Sequence, residues 1–260
     1  WELMQEGFDF TTDKALHDRL VAFNYDELKA HLAADIPFQA RCARYLESHD
    51  DIRAGAAFQE PKQQCAAALL AYTVPGMKMM IDGQLTGRRD TLPLYMKQRN
   101  LNETMDPYLC VTYAQLVTNV LSRPEVRDGE WAQCITTPSM DQNPSWQYIF
   151  SHVCWDEEGH ATLFVINYSG EQATGHVICP EGMLLARKPG AYIPNTHDFS
   201  KPDEAVTVDK ENLEQKVLMR DLVGGGEFRH IEAAILLGHY GGVWFDLPPW
   251  GVHAFELSLV

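Results

Sequence analysis

The run Ala43–Arg53, ARYLESHDDIR, ends a short strand-like stretch in a histidine and an aspartate, His49 and Asp50. An imidazole and a carboxylate held side by side can bond a polar ligand from two directions. The dipeptide alone is common; its place just past a strand is what singles it out. Asp82 closes a second short, mostly apolar stretch, Met77–Asp82, and Asp9 lies near a third such position. Asp13 reads as structural, a partner for a nearby Arg or Lys. The six cysteines, at 42, 65, 110, 134, 154 and 179, form no Cys-x-x-Cys and no zinc-spaced Cys/His cluster. They read as core thiols in a reducing compartment, which favours the cytoplasm. The histidines at 152, 160, 230, 239 and 253 show no ligand spacing, so no metal or other cofactor is expected.

The elements that must position these residues alternate. Leu16, Leu20 and Phe23 repeat at helical spacing, and Asn24 followed by Glu27 can cap a second helix. The strand over Ala43–Glu47 is weak by pattern, because Arg44 and Glu47 interrupt it. Pro61 suits the first turn of a helix running through KQQCAAALLAY. Asp106-Pro107 opens the clearest helix. Its Leu109, Tyr113, Leu116, Val117, Val120 and Leu121 form one stripe of a 3.6-residue period. Strand–helix alternation implies parallel strands with crossovers. In a closed parallel barrel the working residues lie past the strands' C-terminal ends, where His49, Asp50 and Asp82 fall. Three units are too few for a barrel of eight strands, and they leave open edges and a bare inner face. With Trp1 as the first residue and no initiator Met, this suggests a chain cut inside a larger domain.

After Ser122 the pattern changes. Arg123–Trp131 reads as a linker. Trp146–Trp155 and His160–Tyr168 are β-rich runs joined by a hairpin signal at Asp156–Gly159. Further strands are expected over Gln172–Cys179, Leu213–Val223, Gly242–Leu247 and Val252–Leu259, with an exposed excursion over Arg187–Asn212 and a Gly224–Gly226 turn. The tryptophans at 131, 146, 155, 244 and 250 read mainly as packing residues. Many short strands with regular turns suggest an antiparallel sandwich. The boundary expected from these patterns gives residues 1–123 and 124–260.

Composition narrows the function. A net charge of −15 argues against nucleic acid, whose phosphates require Lys and Arg, and suits an uncharged ligand such as a sugar. No window approaches the ~18 apolar residues needed to span a membrane.

Four blocks carry a resemblance: WELMQEGFDFTTDKALHDRL, ARYLESHDDIRAGAAF, PGMKMMIDGQLTGRRDTLP and VWFDLPPWGVHAFEL. In this order they resemble the C-terminal part of glycoside hydrolase family 13, the α-amylase family. The resemblance implies an α/β fold. It would comprise the last part of a (β/α)8 TIM barrel, about strands six to eight with their helices, followed by a β-sandwich. It also implies retaining cleavage or transfer of α-glucosidic bonds, with α-glucan, maltooligosaccharide or another α-glucoside as partner. That chemistry needs two carboxylates about 5 Å apart, a nucleophile and an acid, and both would lie upstream of Trp1. What the chain retains by resemblance is Asp50, the third carboxylate, which binds the hydroxyls of the distorting ring and stabilises the transition state. His49 would donate to the same sugar, and Asp82 would line the pocket. Ser48 stands where the family usually has Asn, which puts the fine positioning of the sugar in question. Arg88 and Arg89 should brace their loop rather than touch sugar. Some family members hold calcium elsewhere in the barrel; no loop of this chain argues for it.

Two other classes compete. A non-catalytic carbohydrate-binding or degenerate amylase-like protein would use the sandwich as its working part. A His-Asp metal phosphohydrolase would need further His and Asp ligands on helices, whereas this pair follows a strand.

Overall fold

A computed structural model describes residues 2–91, 102–140, 142–180, 183, 215–223, 226 and 228–259. The excursion expected at Arg187–Asn212 and most of the Gly224–Gly226 turn lie outside the described residues. The first part holds three short parallel strands in the order β1 (Thr11–Thr12), β2 (Cys42–Arg44), β3 (Met77–Lys78). The strands are shorter than the sequence suggests, because the chain leaves the ladder at Tyr45 and Met79.

α1 (Glu2–Gln5) precedes them, and between and after them run α2 (Lys14–Ala22), α3 (Tyr25–Leu32), α4 (Ile36–Gln39), α5 (Ala54–Ala57), α6 (Pro61–Tyr72) and α7 (Pro107–Gln115). The caps follow the sequence. Asp13, Asn24 and Asp106 accept from the Leu16, Glu27 and Leu109 amides, satisfying donors that an N-terminus leaves free. One expectation fails in part. The helix opened by Pro107 turns into a π-helix over Leu116–Leu121. Its wider i→i+5 pitch buries Leu116 and Val120 but leaves Val117 exposed, although a strict 3.6-residue period puts it on the buried stripe.

The expected linker is instead ordered: α8 (Pro124–Arg127) and β4 (Glu130–Gln133) occupy it. β5 (Ile135–Pro138), β6 (Ile149–Trp155), β7 (Ala161–Asn167), β8 (Ala173–Ile178), β9 (Lys216–Asp221), β10 (Phe228–Glu232), β11 (Val243–Leu247) and β12 (Val252–Leu259) follow. They make two antiparallel sheets, β10-β9-β12-β7-β6-β4 and β11-β8-β5. One core lies between them, with Val153, Leu163, Val165 and Phe255 facing Val177, Phe245 and Leu247. A second core lies on the other face of the larger sheet. There Phe150, Phe164, Ile166 and Tyr168 pack with Leu16, Leu20, Leu70 and Tyr72 of the helices. Every residue of β6 and β7 is therefore buried, and their sequences run mostly apolar, without in-out alternation. Trp131 and Trp155 are core, and Trp250 packs on Phe23 and Tyr168. Trp244 is the exception, 49% exposed on β11.

Polar groups pin the same junction. The Tyr168 hydroxyl donates to the Leu20 carbonyl at 2.8 Å. The Thr73 hydroxyl donates to the Leu69 carbonyl at 2.6 Å, which leaves it to accept from His152 Nε2 at 2.7 Å. Burial, aided by the charge of Lys78, pushes the His152 pKa down to about 3. A histidine depressed in the folded state binds its proton first when unfolded. Stability should thus fall as pH drops from about 6.5 toward 3, with this residue contributing a slope approaching 1.4 kcal/mol per pH unit. Urea melts across that window should show the slope, and His152→Gln should flatten it.

Candidate functional site

β2 delivers the chain to the candidate loop through two buried charges. Arg44 is fully buried. Its guanidinium pairs with Asp13, donates to the Gln39 side chain, and reaches the Pro75 carbonyl at 3.0 Å. Asp13 also takes His31 Nε2 at 2.8 Å. Burial alone would raise the Asp13 carboxyl; the His31 hydrogen bond and the Arg44 charge outweigh it and hold the carboxyl below its ordinary value. The expected structural role of Asp13 is thus its observed one, and the charge that weakens the strand by pattern is what fixes it.

Past the strand, Tyr45 stacks on His17 with ring centroids 5.2 Å apart. Glu47 is buried, accepts from the Ala54 amide at 2.6 Å and lies 3.1 Å from Arg53. Burial raises its carboxyl above the ordinary range, and the amide and Arg53 only partly oppose that. Ser48 folds the tip: its hydroxyl donates to Asp51 and accepts from the Asp50 amide at 3.2 Å. This tip projects His49 and Asp50 into solvent, with side chains 65% and 78% exposed and 3.3 Å between His49 Nε2 and Asp50 Oδ2. Both sit in a turn rather than on a helix, free to meet a ligand.

Asp82 lies in the loop after β3 and is exposed. Arg53 joins the two loops: the guanidinium that pairs with Glu47 also donates to the Asp82 carbonyl at 2.8 Å. The contact requires a glycine next door. At Gly83, with φ +92°, an added Cβ would stand 2.6 Å from Arg53 Nη2. Gln84 anchors the far side, donating to the Tyr72 hydroxyl at 2.7 Å and the Tyr113 hydroxyl at 3.1 Å. Arg88 pairs with Glu103 at 3.7 Å, so it braces the loop as the sequence suggests. The same loop, with Met80, Ile81, Asp82, Arg88 and Met105, walls a cleft of about 400 Å³. Asp9 is exposed at the entry to β1. The sequence reading missed Glu47 and Arg53, and their i,i+6 spacing across a loop carries no helix or strand periodicity by which to find them.

No protein-family model matches the sequence, and no curated protein matches it. Solved structures do. A noncanonic maltogenic α-amylase from Thermotoga neapolitana matches with a TM-score of 0.67 at 12% identity, over 99% of this chain and 52% of its own. An α-amylase from Geobacillus thermoleovorans, complexed with acarbose, gives 0.57 at 13% identity, over 90% of this chain and 43% of its own. An α-amylase from H. orenii gives 0.55 at 13% identity, over 97% and 49%. The chain thus spans about half the length of these structures. At such identities the likeness is one of fold, and the fold is that of α-amylase C-terminal regions.

Proposed function

We propose that this chain is the C-terminal part of a retaining α-glucoside hydrolase or transglycosylase of glycoside hydrolase family 13. Residues 1–123 are then the end of the catalytic TIM barrel, and 124–260 are the following β-sandwich. The observation that carries the reading is His49-Asp50 at the exposed tip of the loop leaving β2, clamped by Arg53 to the β3 exit loop that holds Asp82. This occurs in a chain with the fold of α-amylase C-terminal regions. Three parallel strands in sequential order, with Phe10 ahead of β1 and Met77 on β3 left exposed, suit a sheet whose remaining strands are supplied by upstream sequence.

In this reading Asp50 accepts hydrogen bonds from hydroxyls of the ring under attack. Those bonds strengthen as the ring flattens and gains positive charge. His49, beside it, donates to the same sugar. Asp82 lines the pocket from the adjoining loop. The ligand is an α-glucan, a maltooligosaccharide or another α-glucoside, as acarbose accompanies the Geobacillus thermoleovorans enzyme. The nucleophile and the general acid come from the part of the barrel outside this sequence.

The test follows from that division of labour. The 260-residue chain alone should give no turnover of a chromogenic α-glucoside or of maltooligosaccharides. The longer protein that contains it should hydrolyse or transfer at least one of them. Turnover by the 260-residue chain that disappears in Asp50→Ala would overturn the assignment of roles.

A further inference from the structure

We infer that the antiparallel part carries a divalent transition-metal site, with zinc as its ion, built from Glu125, Asp156 and His160. One ligand atom from each of these residues lies within 4.8 Å of the other two. Their spacing hides them: Asp156 and His160 bracket the β6–β7 hairpin, and Glu125 arrives from α8. The histidine pattern that points to no metal in the sequence therefore misses a set assembled only by the fold.

Glu125 is the decisive member. It is 1% exposed, and a carboxylate so buried needs partners for both oxygens. Oε1 has them: Arg123 donates from Nε, and the Thr162 hydroxyl from 2.8 Å. Oε2 is buried with no hydrogen-bond partner among the described residues. One oxygen is held by two donors while the other is left without one, as for a ligand oriented by its outer shell.

The hairpin is preset to the same end. The His160 amide donates to Asp156 Oδ1 at 2.9 Å, and Gly159, at φ +89°, closes the turn. Asp156 Oδ2 and His160 Nδ1 stand 2.8 Å apart. That separation is a hydrogen bond when a proton lies between them, and a cation can take the proton's place. The ring of His160 is half exposed, which leaves an entry path and room for a water ligand. Two carboxylate oxygens and an imidazole nitrogen suit zinc, whereas calcium and magnesium prefer oxygen alone.

The probes are Zn²⁺ and Ca²⁺ alone, titrated by calorimetry into the metal-free 260-residue chain at neutral pH, with Co²⁺ as a spectroscopic reporter. The expected result is one Zn²⁺ per chain, at least tenfold weaker in His160→Ala and in Asp156→Asn, with much weaker Ca²⁺ binding. The Co²⁺ spectrum should show oxygen and nitrogen ligation without thiolate charge transfer. His160→Ala removes an exposed side chain, so its fold is safe where Glu125→Gln is less so. Absence of Zn²⁺ binding, binding unchanged in His160→Ala, or equal affinity for Ca²⁺ would each overturn the inference. So would thiolate bands, which would place the ion at Cys134 and Cys179, whose sulfurs lie 3.8 Å apart.

Discussion

Arg44→Ala should lower the free energy of unfolding by about 3–5 kcal/mol, the range for breaking a buried ion pair by deleting one partner. The cost arises less from the lost contact than from what stays behind. Asp13 remains buried, its charge supported among the described residues by His31 and the Leu16 amide. The Gln39 side chain and the Pro75 carbonyl lose their donor at the same time. A urea melt of the variant measures the loss. Arg44→Met paired with Asp13→Asn should recover part of it, because no unpaired charge is then left inside. A loss of under about 1 kcal/mol for Arg44→Ala would mean that water enters and solvates Asp13, as at surface pairs.

On the proposed function, Asp50→Ala made in a longer protein that contains this chain should cut kcat/KM about 10²- to 10³-fold. That corresponds to about 3–4 kcal/mol of transition-state stabilisation from one charge-assisted contact. Asp50→Asn should fall nearly as far, since the amide keeps the shape but not the charge. Neither change should move the melting temperature, because the side chain is 78% exposed and, among the described residues, pairs with the exposed His49. A melting shift with near-normal kcat/KM would make Asp50 a loop residue and remove it from the chemistry.

These two residues mark the limit of what the sequence discloses. β6 and β7 are legible because strands covered on both faces are mostly apolar along their length. The helix starts at Asn24 and Asp106 are legible because capping is local, whereas the cap at Asp13 is not read from the sequence. β5 and β10 are not: they are short, polar in part, and formed by pairing with distant strands. The Leu116–Leu121 winding hides because a 3.6-residue stripe fits the same apolar residues. His49 and Asp50 stand out as a pair after a strand. Of the charges beneath them, Arg44 and Glu47 read as interruptions and Arg53 does not stand out, because their partners cannot be seen in the sequence. A buried ion pair looks in sequence like a surface charge.

The larger sheet has consequences for how the molecule holds together. One of its faces rests on helices of the first hundred-odd residues and the other on the smaller sheet. Severing the chain near residue 123 would strip a wall from each piece: the helices would lose their floor, and the sheet would present Phe150, Phe164 and Ile166 to water. The change of topology near residue 123 is therefore no boundary in stability, and melting should not respect it.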